Sequence, residues 1–301
     1  MEKLVIKNRK NQNISVILKY SRNPEGLAFI MHGLGGFKEQ PHIQTLAGAF
    51  EEKGYTTVLF DTTNTLGESD GNYEHATITN YYEDLEDVIK WARTQAWYQE
   101  LFILRAQYSD RKIGDIMKLL ESNLKPKSLA ARAKEDLMSV SSGRFILCGH
   151  SLGGFCVAFY AENHPQEVLA VAPISAVVSG KLMVEAYKRY EPENFRQWEK
   201  TGWLIEESVS KPGVAKRLSS SFVKDSLRYD LLPKVQNLTM PVLLIVGEND
   251  TSTPPDHVKI LFEALPGPKE LALIKDAPHT FRNRKHLKEI KNLFLAWLDK
   301  V

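Results

Sequence analysis

The sequence predicts an α/β protein: a mostly parallel sheet of about eight strands flanked by helices. Three observations carry this expectation. Short apolar runs of strand length recur along the chain, among them LAFIMHG, TTVLFD, RFILCG, VLAVAPIS and VLLIVGEND. Stretches of helical spacing separate most of them, as β-α-β crossovers require. The runs lack polar alternation, which fits parallel strands covered on both faces.

The elements follow in order. KLVIKN and NISVILKY, with Asn and Gln between them, predict an amino-terminal hairpin. LAFIMHG reads as a strand, PHIQTLAGAFEEKG as a helix closed by glycine, and TTVLFD as the next strand. TITNYYEDLEDVIKWARTQAW is a long amphipathic helix with Tyr81, Leu85, Val88, Ile89 and Ala92 on one side. RFILCG, a helix from about Ser151, VLAVAPIS, VLLIVGEND, a helix near PPDHVKILFEALPG, ELALIKDA and a final helix HLKEIKNLFLAWLDK complete the alternation. Two segments interrupt it: residues 100–143, rich in Lys and Arg and patterned like two helices, and residues 176–238, of mixed polarity. Loops of that length need a role of their own.

Bulk composition narrows the function classes. The 301 residues, 43% hydrophobic and 25% charged, suffice for one large domain over 1–301. A net charge of +2 gives no reason to expect nucleic acid or an anionic membrane as partner. No stretch approaches the roughly 18 apolar residues of a membrane span, and the amino terminus lacks the pattern of a signal peptide. The two cysteines, Cys148 and Cys156, fall in apolar stretches and read as reduced core residues, which points to a cytoplasmic protein.

The chemistry begins at Gly149-His150-Ser151-Leu152-Gly153, between an apolar strand and a helix. A nucleophilic serine must stand clear of the sheet, and a very tight strand–turn–helix puts it there. Glycine on both sides relieves the crowding of that turn. The following helix points its first N–H groups towards the site, where negative charge develops. The alternative is a glycine-rich turn in which Ser151 only caps the helix.

Asp250 stands just beyond the end of VLLIVG, and His279 beyond the end of ELALIK. Catalytic groups in such sheets gather at the carboxyl ends of strands, and the order Ser, acid, His suits a nucleophilic triad. Glu248 lies closer to its strand, and Asp276 is too near His279 in sequence to orient its ring easily. His32-Gly33-Leu34-Gly35-Gly36, after another strand, can turn N–H groups inward. Leu34 and Leu152 are then the oxyanion donors. Taken alone, that glycine loop could equally be a surface loop.

HGLGG, GHSLGG, LGESDG, VGENDTSTPPDH and APHTF together resemble the α/β-hydrolase superfamily over nearly the whole chain. Within it they are similar to carboxylesterases of the cinnamoyl/feruloyl-esterase-like and monoacylglycerol-lipase-like groups. The resemblance implies an α/β-hydrolase fold with a helical cap at residues 176–238. It also implies a triad of Ser151, Asp250 and His279, with the oxyanion held by Leu34 and Leu152. The chain departs from the pattern at 100–143, where relatives have a short loop. A helix-to-strand connection lies away from the catalytic face, so this segment is not expected to be the lid. The echo of LFIL (101–104) in RFIL (144–147) leaves open which copy enters the sheet.

The resulting expectation is a serine carboxylesterase acting on a small or medium ester through an acyl-enzyme, with no metal or organic cofactor. An aminopeptidase-like amidase, a thioesterase, and an inactive α/β-hydrolase that only binds a ligand use the same parts. In residues 176–238, Tyr187, Tyr190, Phe195, Trp198, Trp203 and Phe222 read mainly as packing, and Lys181, Lys188, Arg189, Lys200, Lys211, Lys216 and Arg217 as solvated faces. His257, at the start of a helix, reads as a surface residue.

Overall fold

The computed structural model describes residues 1–22, 24–102, 143–208 and 211–301. An amino-terminal hairpin, β1 (Glu2–Lys7) and β2 (Asn13–Lys19), pairs Glu2 with Leu18 and Lys7 with Asn13. β3 (Gly26–Met31), α1 (Pro41–Glu52), β4 (Tyr55–Phe60) and α2 (Ile78–Arg93) follow. Then come β5 (Phe145–His150), α3 (Leu152–Asn163) and β6 (Val168–Ile174). The strands stand in the order β1-β2-β4-β3-β5-β6, with two carboxyl-terminal strands, β9 (Val242–Gly247) and β10 (Lys269–Ile274), beyond β6. β2 is antiparallel to β1 and β4, and all pairs from β4 to β10 are parallel. The eight-stranded, mostly parallel sheet expected from the sequence is present.

Its two faces bury separate apolar layers. Phe29, Met31, Phe60 and Leu147 meet α2 and α3, while Ala28, Ile30, Ile146 and Ile245 meet α1 and the last helix, α8 (Arg284–Leu298). α2 begins at a capping box, in which the Thr77 hydroxyl and the Asn80 amide satisfy each other's backbone N–H. Tyr81, Leu85, Val88, Ile89 and Ala92 are all buried, as their spacing requires. α3 is buried almost all round, so the strand–helix turn that carries Ser151 sits on a packed base.

Residues 176–238 hold α4 (Gly180–Tyr190), α5 (Pro192–Thr201) and the short α6 (Ser221–Ser226). They also hold an antiparallel ribbon that a purely helical cap does not include: β7 (Trp203–Glu207) and β8 (Ala215–Ser219), with Leu204 opposite Leu218 and Glu206 opposite Lys216. Each strand is five residues long and shows a single buried leucine, too short an alternation to stand out. An isolated ribbon is marginal in water, and burial of Leu204 and Leu218 fastens this one to the body. Gly202, at φ +79°, ends α5 and turns the chain into the ribbon. α7 (Pro255–Ala264) links β9 to β10.

The predicted insertion at 100–143 falls almost wholly on residues 103–142, outside the described residues. Of the two similar tetrapeptides, RFIL supplies β5, with Ile146 opposite Ala28 and Ala170. Among the described residues, no helix is long and apolar enough to cross a membrane.

Candidate active site

Ser151 sits at φ 57°, ψ −118°, between β5 and α3. A non-glycine residue there is strained by about 1–3 kcal/mol. The surroundings hold it on both sides. Its N–H donates to the Ile174 carbonyl at 2.9 Å, and its own carbonyl accepts from Phe155 N–H at 3.1 Å. The turn is so tight that a Cβ on Gly149 would stand 2.3 Å from the Gly153 carbonyl oxygen, and one on Gly153 2.3 Å from the His32 carbonyl oxygen. Only glycine allows that approach.

His279 Nε2 lies 2.9 Å from Ser151 Oγ, and His279 Nδ1 lies 3.0 and 2.9 Å from the two carboxylate oxygens of Asp250. Residues 128 and 29 positions apart in the chain thus meet in one continuous line. Asp250 is buried, and Ser252 and Thr253 N–H donate to its Oδ1 at 3.0 and 2.8 Å. The Thr253 hydroxyl stands 2.9 Å from both Asp250 Oδ2 and the Ser175 carbonyl. Burial raises the Asp250 carboxyl, but the His279 charge and the bonds from His279 and Thr253 outweigh it. The net shift is downward, so the carboxylate stays ionised.

The N–H groups of Leu34 and Leu152 bond no protein acceptor among the described residues, and both residues line the cavity that contains Ser151 and His279. Leu152 is the first residue of α3, where an N–H has no partner within the helix. The Leu34 loop is held from behind. His32 donates from Nδ1 to the Gly33 carbonyl at 2.8 Å and accepts Thr62 N–H on Nε2 at 3.1 Å, so its tautomer is fixed. Gly35 N–H donates to the Tyr81 hydroxyl at 3.1 Å. Lys38, fully buried, donates from Nζ to Asp61 and to Glu68, both at 2.7 Å, while its N–H donates to Asp61 at 2.7 Å. LGESDG therefore supports the glycine loop, and Gly67 is needed because a Cβ there would meet Asp61.

The cavity over Ser151 measures about 250 Å³, near the small end of ligand sites. Residues 176–238 contribute Met183, Tyr187, Glu206, Lys216 and Phe222 to its walls, and Gln40, Tyr73 and Arg282 line it as well. Phe195 and Trp198 are core residues instead, and Tyr190 is exposed. Lys216, read as solvated from sequence, is a wall of this cavity and pairs with Glu206 at 3.1 Å. His257, read as a surface residue, is buried behind α4, 3.8 Å from Glu185. Glu248 and Asp276 bond each other, the Asp276 N–H donating to Glu248 at 3.0 Å, and both are exposed. Sequence reasoning missed Thr253, Lys38 and Tyr81; of these only Lys38 and Thr253 lay inside or beside a quoted motif.

A model of the family described as "serine aminopeptidase, S33" matches residues 131–285, just over half of the chain. Mouse mitochondrial palmitoyl-protein thioesterase ABHD10 is 30% identical over 126 residues, covering 40% of this chain and 41% of that protein. Its bovine counterpart matches over 56% of each; the chain thus spans about half the length of these curated relatives. Among solved structures, the Est1E protein of Butyrivibrio proteoclasticus with ferulic acid bound superposes with a TM-score of 0.68. It is 17% identical and covers 99% of this chain and 98% of that one. Mouse ABHD10 superposes at 0.66 with 17% identity, covering 100% and 99%. At such identity the superpositions speak to the fold, which is the α/β-hydrolase fold in both. Sheet order, the strand–helix turn and the family match agree, and the chain belongs to the serine aminopeptidase S33 family of α/β-hydrolases.

Proposed function

We propose that this hydrolase is a serine carboxylesterase acting on small or medium esters through an acyl-enzyme. The observation that carries the reading is the line Ser151 Oγ–His279–Asp250, with contacts of 2.9 Å at either end of the imidazole. His279 Nε2 takes the Ser151 proton as Oγ attacks the carbonyl carbon, and Asp250 keeps the remaining Nδ1–H in place. The Leu34 and Leu152 N–H groups receive the oxyanion; losing one such donor typically costs about 3 kcal/mol in the barrier. The tetrahedral adduct collapses, the carbon–oxygen bond to the alcohol breaks, and His279 returns the proton to that oxygen. Water then repeats the sequence on the acyl-enzyme and frees both acid and serine. Residues 176–238 act as the cap that closes the acyl cavity. Reduced Cys148 and Cys156, both buried and unpaired, support a cytoplasmic setting.

A thioester is the second reading, favoured by the match to mouse ABHD10, whose printed name is palmitoyl-protein thioesterase. A cavity of about 250 Å³ with charged walls argues for a short acyl group in either case. The test is fluorophosphonate labelling together with turnover of p-nitrophenyl acetate and butyrate, butyryl thioesters and an aminoacyl anilide. Ester turnover that vanishes in Ser151→Ala is expected. An unlabelled, inactive wild-type protein would make it a binding member of the fold, and turnover surviving in folded Ser151→Ala would refute the nucleophile.

A further inference from the structure

One wall of the cavity is built from polar groups that the reaction itself does not use. Tyr73 and the stem of Lys216 close over Gly35, the residue after the Leu34 donor: a Cβ on Gly35 would stand 2.8 Å from the Tyr73 ring and 3.5 Å from Lys216 Cδ. The Lys216 ammonium lies 5.9 Å from the Tyr73 ring centroid and 3.1 Å from Glu206. The pair is sunk into the cavity, with side chains 19% and 34% exposed. Of the three ammonium donors one meets Glu206; the others meet no protein acceptor among the described residues. The hydroxyls of Tyr73 and Tyr187 likewise have no partner among the described residues. Both phenols stay protonated: burial raises them, and Glu206 repels their anions further.

Lys216 and Glu206 neutralise each other on this wall, which offers donors and acceptors side by side; Glu191 and Arg282 line the cavity as well. A carboxylate would face Glu206 and an ammonium would face Lys216, whereas a hydroxyl satisfies both at once. A plain alkyl chain would bury the two phenols and the two remaining Lys216 donors with nothing to bond, which is costly. The position fixes the side of the ester. The Leu34 N–H receives the carbonyl oxygen of the acyl group, so the wall packed over the next residue, Gly35, is assigned to the acyl chain.

We propose that Lys216, Glu206, Tyr73 and Tyr187 form an acyl-side subsite that selects esters whose acyl chain carries a neutral hydroxyl group. The proposal rests on the esterase reading above. The test compares methyl butanoate with methyl 3-hydroxybutanoate, and methyl hexanoate with its 6-hydroxy, 6-amino and 5-carboxypentanoate counterparts, by pH-stat. In the wild type, kcat/KM for the hydroxylated member of at least one pair is expected to exceed the alkyl member by about tenfold or more, since unpaired buried polar groups penalise the analogue that lacks the hydroxyl. Lys216→Met keeps the stem that packs on Gly35 and is expected to bring the ratio close to one. Should it fail to fold, Tyr187→Phe, which removes one oxygen, is expected to lower the same ratio. Equal turnover of both members in both pairs, an unchanged ratio in the variants, or preference for a charged chain would overturn the subsite while leaving the esterase intact. Absence of all ester turnover, with Ser151 unlabelled by fluorophosphonate, would remove the esterase reading and this one with it.

Discussion

His150 donates from Nε2 to the main-chain oxygen of His279, 2.9 Å away. The residue before the candidate nucleophile thus grips the candidate base by its backbone, while Asp250 and Ser151 engage its ring. The two rings lie 4.9 Å apart, and the His42 ring meets His150 edge-on at 4.5 Å. Burial, then the His279 charge, pushes His150 down to about 3, and burial with the neighbouring His150 lowers His42 as well. In the proposed mechanism, neither neighbour competes with His279 for the proton it takes from Ser151.

Because the hydrogen bond from His150 goes to the backbone of His279 and not to its ring nitrogens, its loss acts through placement. His150→Phe fills the space but deletes the bond. It is expected to lower kcat by about 10–100-fold, the scale of a misplaced reacting group, with little change in KM. Steady-state kinetics on a p-nitrophenyl ester checks this, alongside circular dichroism. An unchanged kcat, or a loss confined to thermal stability, would show that His279 holds its place without the bond.

The same burial makes stability depend on pH, with a definite sign. An ordinary histidine titrates near ~6.5, whereas folded His150 titrates at about 3. Between those values the unfolded chain binds the extra proton, so stability is complete above the higher value and declines as pH falls through the window. His42 shifts in the same direction. The urea midpoint of the wild type is expected to fall between pH 7 and pH 4, and that of His150→Phe to fall less. Parallel slopes for the two proteins would assign the acid sensitivity elsewhere.

Strain at Ser151 predicts a trade between function and stability. At φ 57°, ψ −118°, glycine escapes a penalty of about 1–3 kcal/mol that alanine retains, against an entropic cost of glycine of ~0.5–1 kcal/mol. Ser151→Gly is therefore expected to melt above Ser151→Ala, both being inactive. Differential scanning calorimetry of the pair decides it. If the alanine variant melts at the higher temperature, the turn holds no appreciable strain.

Much of this was legible in the sequence because it depends on local pattern. The central strands announce themselves as unbroken apolar runs, since both sheet faces are covered. Ser151 and Asp250 stand just past such runs, and His279 just past the half-exposed edge strand β10. The ribbon of Trp203–Glu207 and Ala215–Ser219 was not legible: two half-exposed pentapeptides carry one buried leucine apiece, and their pairing depends on the body beneath them. Lys216 was misread for a related reason. A lysine in mixed-polarity sequence is usually solvated, and only the fold brings its stem over Gly35 and its charge to Glu206. His257 and Lys38 are buried by contacts from distant segments that no spacing rule encodes.

Lys38 and Asp61 offer the sharpest energetic test, because both side chains are fully buried and paired at 2.7 Å. Removing Lys38 strands the buried Asp61 charge, whereas removing Asp61 leaves Lys38 with Glu68 and Glu39. Lys38→Met alone is expected to cost about 3–5 kcal/mol and Asp61→Asn less, whereas the double replacement Lys38→Met, Asp61→Leu recovers a large part of the Lys38→Met loss. The main-chain N–H of Lys38 also ties the loop of Leu34 to the segment after β4, donating to Asp61 at 2.7 Å. Esterase activity should therefore fall further than stability recovers in the double variant, since the donor loop loses its anchor even where the charge imbalance is gone. Urea unfolding and kcat measured on all three variants separate the effects. Additive destabilisation in the double variant would mean that the two charges do not stabilise each other.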